Sequence, residues 1–240
     1  MTGSGCGREH CPHDFCVRKV PVFASLKEED LARVAKMIRH LEYLKGDTLF
    51  SEGDAVNALV ILNEGSVKAF RLTPDGREQI LYVFSEGDFF GERNLFGGQT
   101  AAYSVEALER VKVCSFTRES FRALLAAHPD ISLRIIEALE ARIARMENAM
   151  QSLGVRSLDG RIGALLLDYA EKYGAEVPEG VLVRLPLSRE GIANSLGVAR
   201  ETVSRKLGQL ESDGVIRSVS NRSILILESE ALRASAGLSP

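Results

Sequence analysis

Residues 187–213 read LSREGIANSLGVARETVSRKLGQLESD, and this stretch decides the fold of the C-terminal part of the chain. Ser188 can cap a short helix over residues 189–195, because its hydroxyl oxygen can accept from a free backbone N–H. Gly197 then supplies a turn, and residues 199–212 are predicted to form a second helix. The apolar positions of that helix that would face inward are Val203, Leu207 and Leu210. Two helices joined by a tight turn form a helix-turn-helix, whose second helix enters the major groove of DNA.

The outward face of the second helix carries side chains that can read base edges. Arg200 and Arg205 can bond O6 and N7 of guanine, and Glu201 can accept from the N4 amine of cytosine. The alternative is an ordinary salt-bridged helix surface. Downstream, residues 215–219 and 223–227 alternate around Arg222, which predicts a hairpin wing with Arg222 as a phosphate contact at its tip. The predicted DNA-binding residues are Arg200, Glu201, Ser204, Arg205, Ser188 and Arg222.

Composition permits this interpretation without requiring it. The 240 residues are 45% hydrophobic and 26% charged, which is typical of a folded globular protein. The net charge of -3 does not indicate nucleic-acid binding. Residues 187–222, however, include six basic and four acidic residues, which is a local positive excess. A polar N-terminus and the lack of a long apolar run predict a cytoplasmic protein with no membrane span. The four histidines form no catalytic pattern, so an enzyme is not expected.

The N-terminal half has a different texture. Residues 26–44 show helical spacing after Ser25, a possible cap; the spacing is set by Leu31, Val34, Ile38 and Leu41. Short alternating or β-branched runs then follow at residues 47–50, 58–62, 66–72, 79–84 and 111–116. Glycine-bearing turns separate these runs, and the tripeptide Glu-Gly-Asp occurs at 52–54 and again at 86–88. This pattern predicts an antiparallel β-roll with two similar corners.

A long helix is predicted after the β-roll. A linking helix at 119–127 ends before Pro129, and a 3-4-3-4-3 apolar spacing follows, which is typical of a coiled-coil seam. The seam positions are Ile136, Leu139, Ile143, Met146, Met150 and Leu153. The alternative is one amphipathic helix packed on its own roll. Gly154 is expected to end or kink the helix, and a helix at 161–173, a loop at 174–180 and a strand at 181–185 should follow.

These elements predict an α+β chain in four parts. Residues 1–20 form a cysteine-bearing segment, 21–128 a β-roll sensor domain, 129–154 a dimerisation helix, and 155–240 a winged helix-turn-helix domain.

In this order of parts the chain resembles the family of the cyclic-AMP receptor protein and the fumarate-nitrate reduction regulator, over roughly residues 20–232. Glu201 and Arg205 match the residues with which both branches read DNA, whereas Arg200 resembles the first branch and Ser204 the second. The resemblance implies a homodimer on a pseudo-palindromic double-stranded site with GA-containing half-sites, and RNA polymerase as a partner if the protein activates.

The same resemblance implies a cyclic-nucleotide-binding-type roll, with residues 91–96 similar to the start of a phosphate cassette. Cyclic-nucleotide binders follow this start with an arginine–serine pair, but Ala101 and Ala102 stand there. A buried phosphate without a cation is costly, so a cyclic nucleotide is disfavoured unless Arg93 replaces the missing arginine.

Three N-terminal cysteines and one in the roll resemble the ligand set of a [4Fe–4S] cluster in the oxygen-sensing branch of the family, which is that of the fumarate-nitrate reduction regulator. These are Cys6, Cys11, Cys16 and Cys114. The three N-terminal cysteines are separated by four residues each, which differs from the spacing in that branch. Four alternatives to the cluster remain. The cysteines could form a disulfide switch, bind zinc together with His10 or His13, or have no sensing role, and the roll could bind haem.

One further departure concerns the dimer seam. Met146 stands where the oxygen-sensing branch has an acidic residue that holds its helices apart. An apolar seam predicts a dimer both with and without the cofactor.

Overall fold

The computed structural model describes residues 4–5, 20–23, 26–92, 100–155 and 157–237. The chain divides into two compact units, Met1–Ala141 and Arg142–Pro240, and the division falls inside one long helix. Within the described residues, no helix is both long and apolar enough to cross a membrane.

The first unit contains two antiparallel sheets. The strands are β1 (Ser4–Gly5), β2 (Arg39–Tyr43), β3 (Thr48–Phe50), β4 (Ala58–Glu64), β5 (Val67–Leu72), β6 (Glu78–Phe84), β7 (Phe89–Phe90), β8 (Ser104–Ala107) and β9 (Val111–Thr117). One sheet has the order β1-β2-β9-β4-β7 and the other β3-β8-β5-β6. Val60, Leu62 and Val113 pack with Val67 and Val105 in a buried core. Because successive residues of a strand face opposite sides, the alternate residues of β4 and β9 lie in a second core on the other face of the sheet.

That second core lies between the first sheet and three helices. They are α1 (Glu28–Met37), α2 (Arg118–Ala127) and α3 (Pro129–Val155). Val20, Phe23, Cys114 and Phe116 are buried in it, together with Ile131 from the first turn of α3. The rings of Phe23 and Phe116 lie 5.8 Å apart. The second core therefore fixes the chain that follows the N-terminal cysteines against the strand that carries Cys114.

The two predicted Glu-Gly-Asp corners are confirmed. The Asp54 carboxylate accepts from the Ser51 backbone N–H at 2.9 Å, and Asp88 accepts from Ser85 at 2.9 Å. The glycine of each corner has a φ of 89°, a left-handed conformation that glycine adopts without steric cost. A third corner, Leu44 to Asp47, makes the same bond at 2.7 Å.

The predicted helix over residues 26–44 is wrong in its second half. Helix α1 begins at Glu28 after Lys27, which makes no side-chain cap, and it ends at Met37. Ser25 lies outside the described residues. Residues 39–43 instead form β2, paired in register with β9 from Arg39↔Ser115 to Tyr43↔Val111. Long-range strand pairing has overridden a helical spacing that continued only to Leu41.

The second unit is a helical domain with one four-stranded sheet. Its helices are α4 (Leu158–Tyr173), α5 (Arg189–Leu196), α6 (Arg200–Ser212) and α7 (Ser229–Ser235). Its strands are β10 (Gly174–Val177), β11 (Gly180–Arg184), β12 (Ile216–Ser220) and β13 (Ser223–Ile226), in the order β10-β11-β13-β12. The predicted loop at 174–180 is therefore wrong, because residues 174–177 pair with β11 in a hairpin. Helix α7 was not predicted.

Candidate nucleic-acid interface and sensor region

Helices α5 and α6 form the predicted helix-turn-helix. The Ser188 hydroxyl accepts from the Gly191 N–H at 3.1 Å and so caps α5. Gly197 ends that helix with φ 66° and ψ 36°, and its N–H donates to the Ala193 carbonyl. Val203 and Leu207 of α6 are buried, so the opposite face of this helix is turned outward. The sequence predicted this arrangement, including the cap.

The outward face of α6 has free polar groups. Arg200, Glu201 and Arg205 are exposed, and Ser204 is half-buried. Although Glu201 and Arg205 are one helical turn apart, no ion pair or hydrogen bond engages Arg200, Glu201 or Arg205 among the described residues. The alternative of a salt-bridged surface therefore does not describe this face. Its charged groups remain available to an external partner.

Two basic side chains join α4 to the helix-turn-helix instead of facing outward: Lys206 holds α6 and Arg161 holds the end of α5. The Lys206 ammonium lies 2.7 Å from an Asp159 carboxylate oxygen of α4. Arg161 of α4 donates from Nη1 to the carbonyl of Leu196, the last residue of α5, at 3.1 Å. Neither residue was predicted as part of the site. Both act between elements that are distant in sequence, so a local pattern does not show them.

The wing is tied to the end of α6 and to the segment before α5. The Glu211 carboxylate at the end of α6 accepts from the Ser218 backbone N–H at 2.8 Å and from the Ser218 hydroxyl at 3.1 Å. These bonds, the backbone one foremost, lower the pKa of Glu211, so the carboxylate is charged at neutral pH. Arg222 is half-buried and donates from Nη1 to the Pro186 carbonyl at 2.7 Å. The predicted phosphate contact is thus already engaged in joining the wing to the segment before α5.

Helix α3 divides its apolar residues between two surfaces. Ile131 and Ile135 are buried against the first sheet, and Leu139 is partly buried there. Ile136 and Ile143 are 61% and 55% exposed, and Met146 is 39% exposed. Leu133, which was not predicted, is also exposed. The side chains of Met150 and Leu153 lie outside the described residues. Packing on the chain's own roll therefore accounts for one face of the helix, and an exposed apolar stripe remains on another.

The region that resembles a phosphate cassette lacks a cation at the expected place. Ala101 is 4% exposed, and its backbone N–H and carbonyl bond Asp54 and Gly53 at 2.8 Å each. Ala102 is half-buried. Arg93 lies outside the described residues. Aromatic rings fill the neighbouring core. The centroids of Phe84 and Phe90 are 5.2 Å apart, and those of Phe50 and Phe90 are 5.9 Å apart.

The described member of the predicted cysteine set, Cys114, lies in the central strand of the first sheet. It is 2% exposed, and its sulfur accepts from Asn63 Nδ2 at 2.6 Å. His40 Nδ1 lies 3.5 Å from the same sulfur. Cys6, Cys11 and Cys16, with His10 and His13, lie outside the described residues. No cluster of three or more His, Cys, Asp or Glu side chains occurs in the part of the chain that the structure describes.

Known families match both parts of the chain. A cyclic nucleotide-binding domain family matches residues 40–128, and a Crp-like helix-turn-helix domain family matches residues 160–235. The chain is similar to a CRP-like cAMP-activated global transcriptional regulator of Mycobacterium tuberculosis, with 30% identity over 91% of this chain and 97% of that protein. It is also similar to the fumarate and nitrate reduction regulatory protein of Salmonella typhimurium, with 27% identity over 99% of this chain and 94% of that protein.

A solved structure shows the same fold. It is a CooA mutant from Carboxydothermus hydrogenoformans, with a TM-score of 0.78 and 22% identity, covering 91% of this chain and 95% of that one. The relatives are transcription regulators rather than enzymes, which confirms the expectation from sequence. The predicted fold class, a β-roll followed by a long helix and a winged helix-turn-helix, is confirmed as well.

Proposed function

Because the chain belongs to the family of the cyclic-AMP receptor protein and the fumarate and nitrate reduction regulator, we propose that it is a redox- or gas-responsive member, with a [4Fe–4S] cluster on Cys6, Cys11, Cys16 and Cys114. Family membership makes it a DNA-binding transcription regulator. The observation that carries the finer proposal is the placement of both described ends of the cysteine-bearing segment near Cys114.

Each of the two described ends is connected to the surroundings of Cys114 by a separate observation. Gly5 pairs with Leu41 of β2, the residue next to His40, and His40 pairs with Cys114. Neighbouring strands are about 4.8 Å apart, so β1 is about 10 Å from β9. At the other end, Val20 is buried in the same core as Cys114. The segment that carries Cys6, Cys11 and Cys16 therefore starts in the sheet that holds the fourth cysteine and finishes in the core that buries it.

The surroundings of Cys114 fit an iron–sulfur ligand. An N–H group points at its sulfur, and Ile61 and Phe116 belong to the apolar shell around it. Ligating thiolates are commonly held by such hydrogen bonds, and an apolar shell restricts access of water. When bound, a cluster would supply one-electron chemistry and sensitivity to oxidants. The chain's own residues would hold the cluster against the first sheet. In sequence, the last strand of that sheet is followed by α2 and α3 and then by the DNA-binding unit.

Several observations argue against a cyclic nucleotide as the effector, although one relative is named as cAMP-activated. Ala101 has no group that could neutralise a phosphate, and its backbone is held on both sides. The described cations of strand β5 are already paired, Lys68 with Glu78 and Glu106, and Arg71 with Glu52. A buried phosphate would therefore need Arg93 or a displaced pair.

We propose a homodimer joined through the exposed stripe of α3. Ile136 and Ile143 are seven residues apart and Met146 follows three residues later, which is the spacing of a two-helix seam. The three exposed positions bear no charge, so association does not need a cofactor to offset repulsion. The signal would then act on an existing dimer, bound to a pseudo-palindromic site with GA-containing half-sites. If the protein activates transcription, RNA polymerase is the further partner.

The test is an absorption spectrum of full-length protein purified without oxygen, with iron and sulfide assayed on the same sample. We expect a broad near-visible shoulder, about four irons and four sulfides per chain, and bleaching in air. Cys114→Ala should lose the colour, whereas Ser115→Ala, one residue away in the same strand, should keep it. DNA affinity should change on exposure to air only in protein that carries the cluster.

A colourless, iron-free protein would contradict the cluster and leave DNA binding intact. Bound zinc would then indicate a zinc site, and a disulfide found by mass spectrometry would indicate a thiol switch. A sharp Soret band would indicate haem.

A further inference from the structure

Cys114 lies between two nitrogen-bearing side chains from the strands on either side of it. His40 is directly opposite in β2, and its Nδ1 lies 3.5 Å from the sulfur. Asn63 comes from β4, at a point where the pairing with β9 shifts register between Leu62 and Glu64. Such a bulge leaves one residue unpaired and re-aims its side chain. Here it places the Asn63 amide against the cysteine sulfur.

The stability of the fold does not explain Asn63. The residue is 5% exposed, and its Nδ2 donates to Cys114 at 2.6 Å. Its Oδ1 is buried and has no hydrogen-bond partner among the described residues. A buried polar atom left unsatisfied destabilises a fold, and an apolar residue of the same shape avoids that cost. Leucine has nearly the same shape, so an asparagine here indicates a role for its N–H group.

We propose that Asn63 is a positioning residue that donates an N–H···S hydrogen bond to the Cys114 thiolate. This bond raises the reduction potential of the cluster that Cys114 ligates, so the inference rests on the proposed function. A donor draws negative charge away from the sulfur. It therefore favours the form that has gained an electron over the form that has lost one. The ring of His40 stands on the other side of the same sulfur and helps to fix its position.

The experiment compares Asn63→Leu and Asn63→Ala with the wild-type protein, all purified without oxygen. Asn57→Ala is the matched control, because Asn57 is an exposed asparagine just before the same strand. The midpoint potential is measured by following visible absorbance during a redox titration. The rate of absorbance loss is measured at one fixed oxygen concentration. Thermal unfolding of the metal-free proteins reports the fold separately.

Both Asn63 variants should have a lower midpoint potential and should lose colour in air about 10-fold faster, at the lower end of the effects of outer-shell partners on metal sites. Asn57→Ala should match the wild type. Metal-free Asn63→Leu should unfold at the same temperature as the wild type or higher, which excludes a loss of fold as the cause.

The inference and the proposed function fail in different ways. Wild-type protein that carries a cluster, with both Asn63 variants at the wild-type potential, would overturn the role of Asn63 alone. Wild-type protein that contains no iron would overturn both.

Discussion

Replacing Arg205 with alanine should remove base-specific affinity for DNA rather than general affinity. The Arg205 side chain is exposed on the outward face of α6, and no described residue engages its guanidinium. The guanidinium therefore gives up no hydrogen bond or ion pair with a described residue when it bonds O6 and N7 of a guanine. One such bidentate pair contributes about 1–3 kcal/mol of discrimination. A symmetric dimer presents two copies, so the loss should be about 2–6 kcal/mol, a Kd weaker by about 30-fold or more.

The assay is a fluorescence-anisotropy titration at one fixed salt concentration with two labelled duplexes. One carries GA-containing half-sites about one helical turn apart, and the other has the GA steps replaced. Arg205→Ala should lose affinity for the first duplex and bind the second as the wild type does. Arg233→Ala is the control, because Arg233 is an exposed arginine on α7 that lies 3.7 Å from Glu230 and outside the helix-turn-helix. An equal loss on both duplexes, or no loss on the first, would refute base recognition by Arg205.

Three further predictions concern the wing, the dimer and the effector. Arg222→Ala should weaken DNA binding without changing the slope of log affinity against log salt, because this guanidinium is bonded to Pro186; a slope shallower by about one per lost phosphate contact would show instead that Arg222 binds DNA directly. Ile143→Glu should sediment as a monomer at micromolar concentration, whereas Arg145→Glu, off the stripe, and the metal-free wild type should stay dimeric; a monomeric wild type contradicts the apolar seam. Cyclic AMP should leave the melting temperature unchanged, since a ligand at 100 times its Kd would add about 2.7 kcal/mol of stability that a thermal scan would detect.

Local patterns predicted the elements whose residues interact with near neighbours. The helix-turn-helix depends on a cap, a glycine in the left-handed region and a helical repeat, and all three occur within residues 188–207. The corners of the β-roll likewise depend on an aspartate that bonds a backbone N–H three residues earlier. In these interactions both partners lie within a few residues of each other in the chain, so the sequence alone was enough to predict them.

Prediction failed where two patterns compete or where a partner is distant. Leu41 continues the helical spacing of the residues before it, but residues 39–43 form a strand because β9 pairs with all five of them. Sequence placed Arg222 on a wing tip and predicted a phosphate contact. Its bond to Pro186 joins residues 36 positions apart and cannot be seen in either segment.

The sequence by itself determined the order of parts, the DNA-reading helix and the set of cysteines. Only the tertiary structure decided which apolar face of α3 packs on the roll and which stays exposed, since Ile135 and Ile136 are adjacent in the chain yet 6% and 61% exposed. It also decided the surroundings of Cys114, where His40 and Asn63 meet one sulfur from strands 74 and 51 residues away. The physical reason is the same in both cases. A periodic pattern specifies which residues share a face, whereas the partner of that face depends on how distant segments pair and pack.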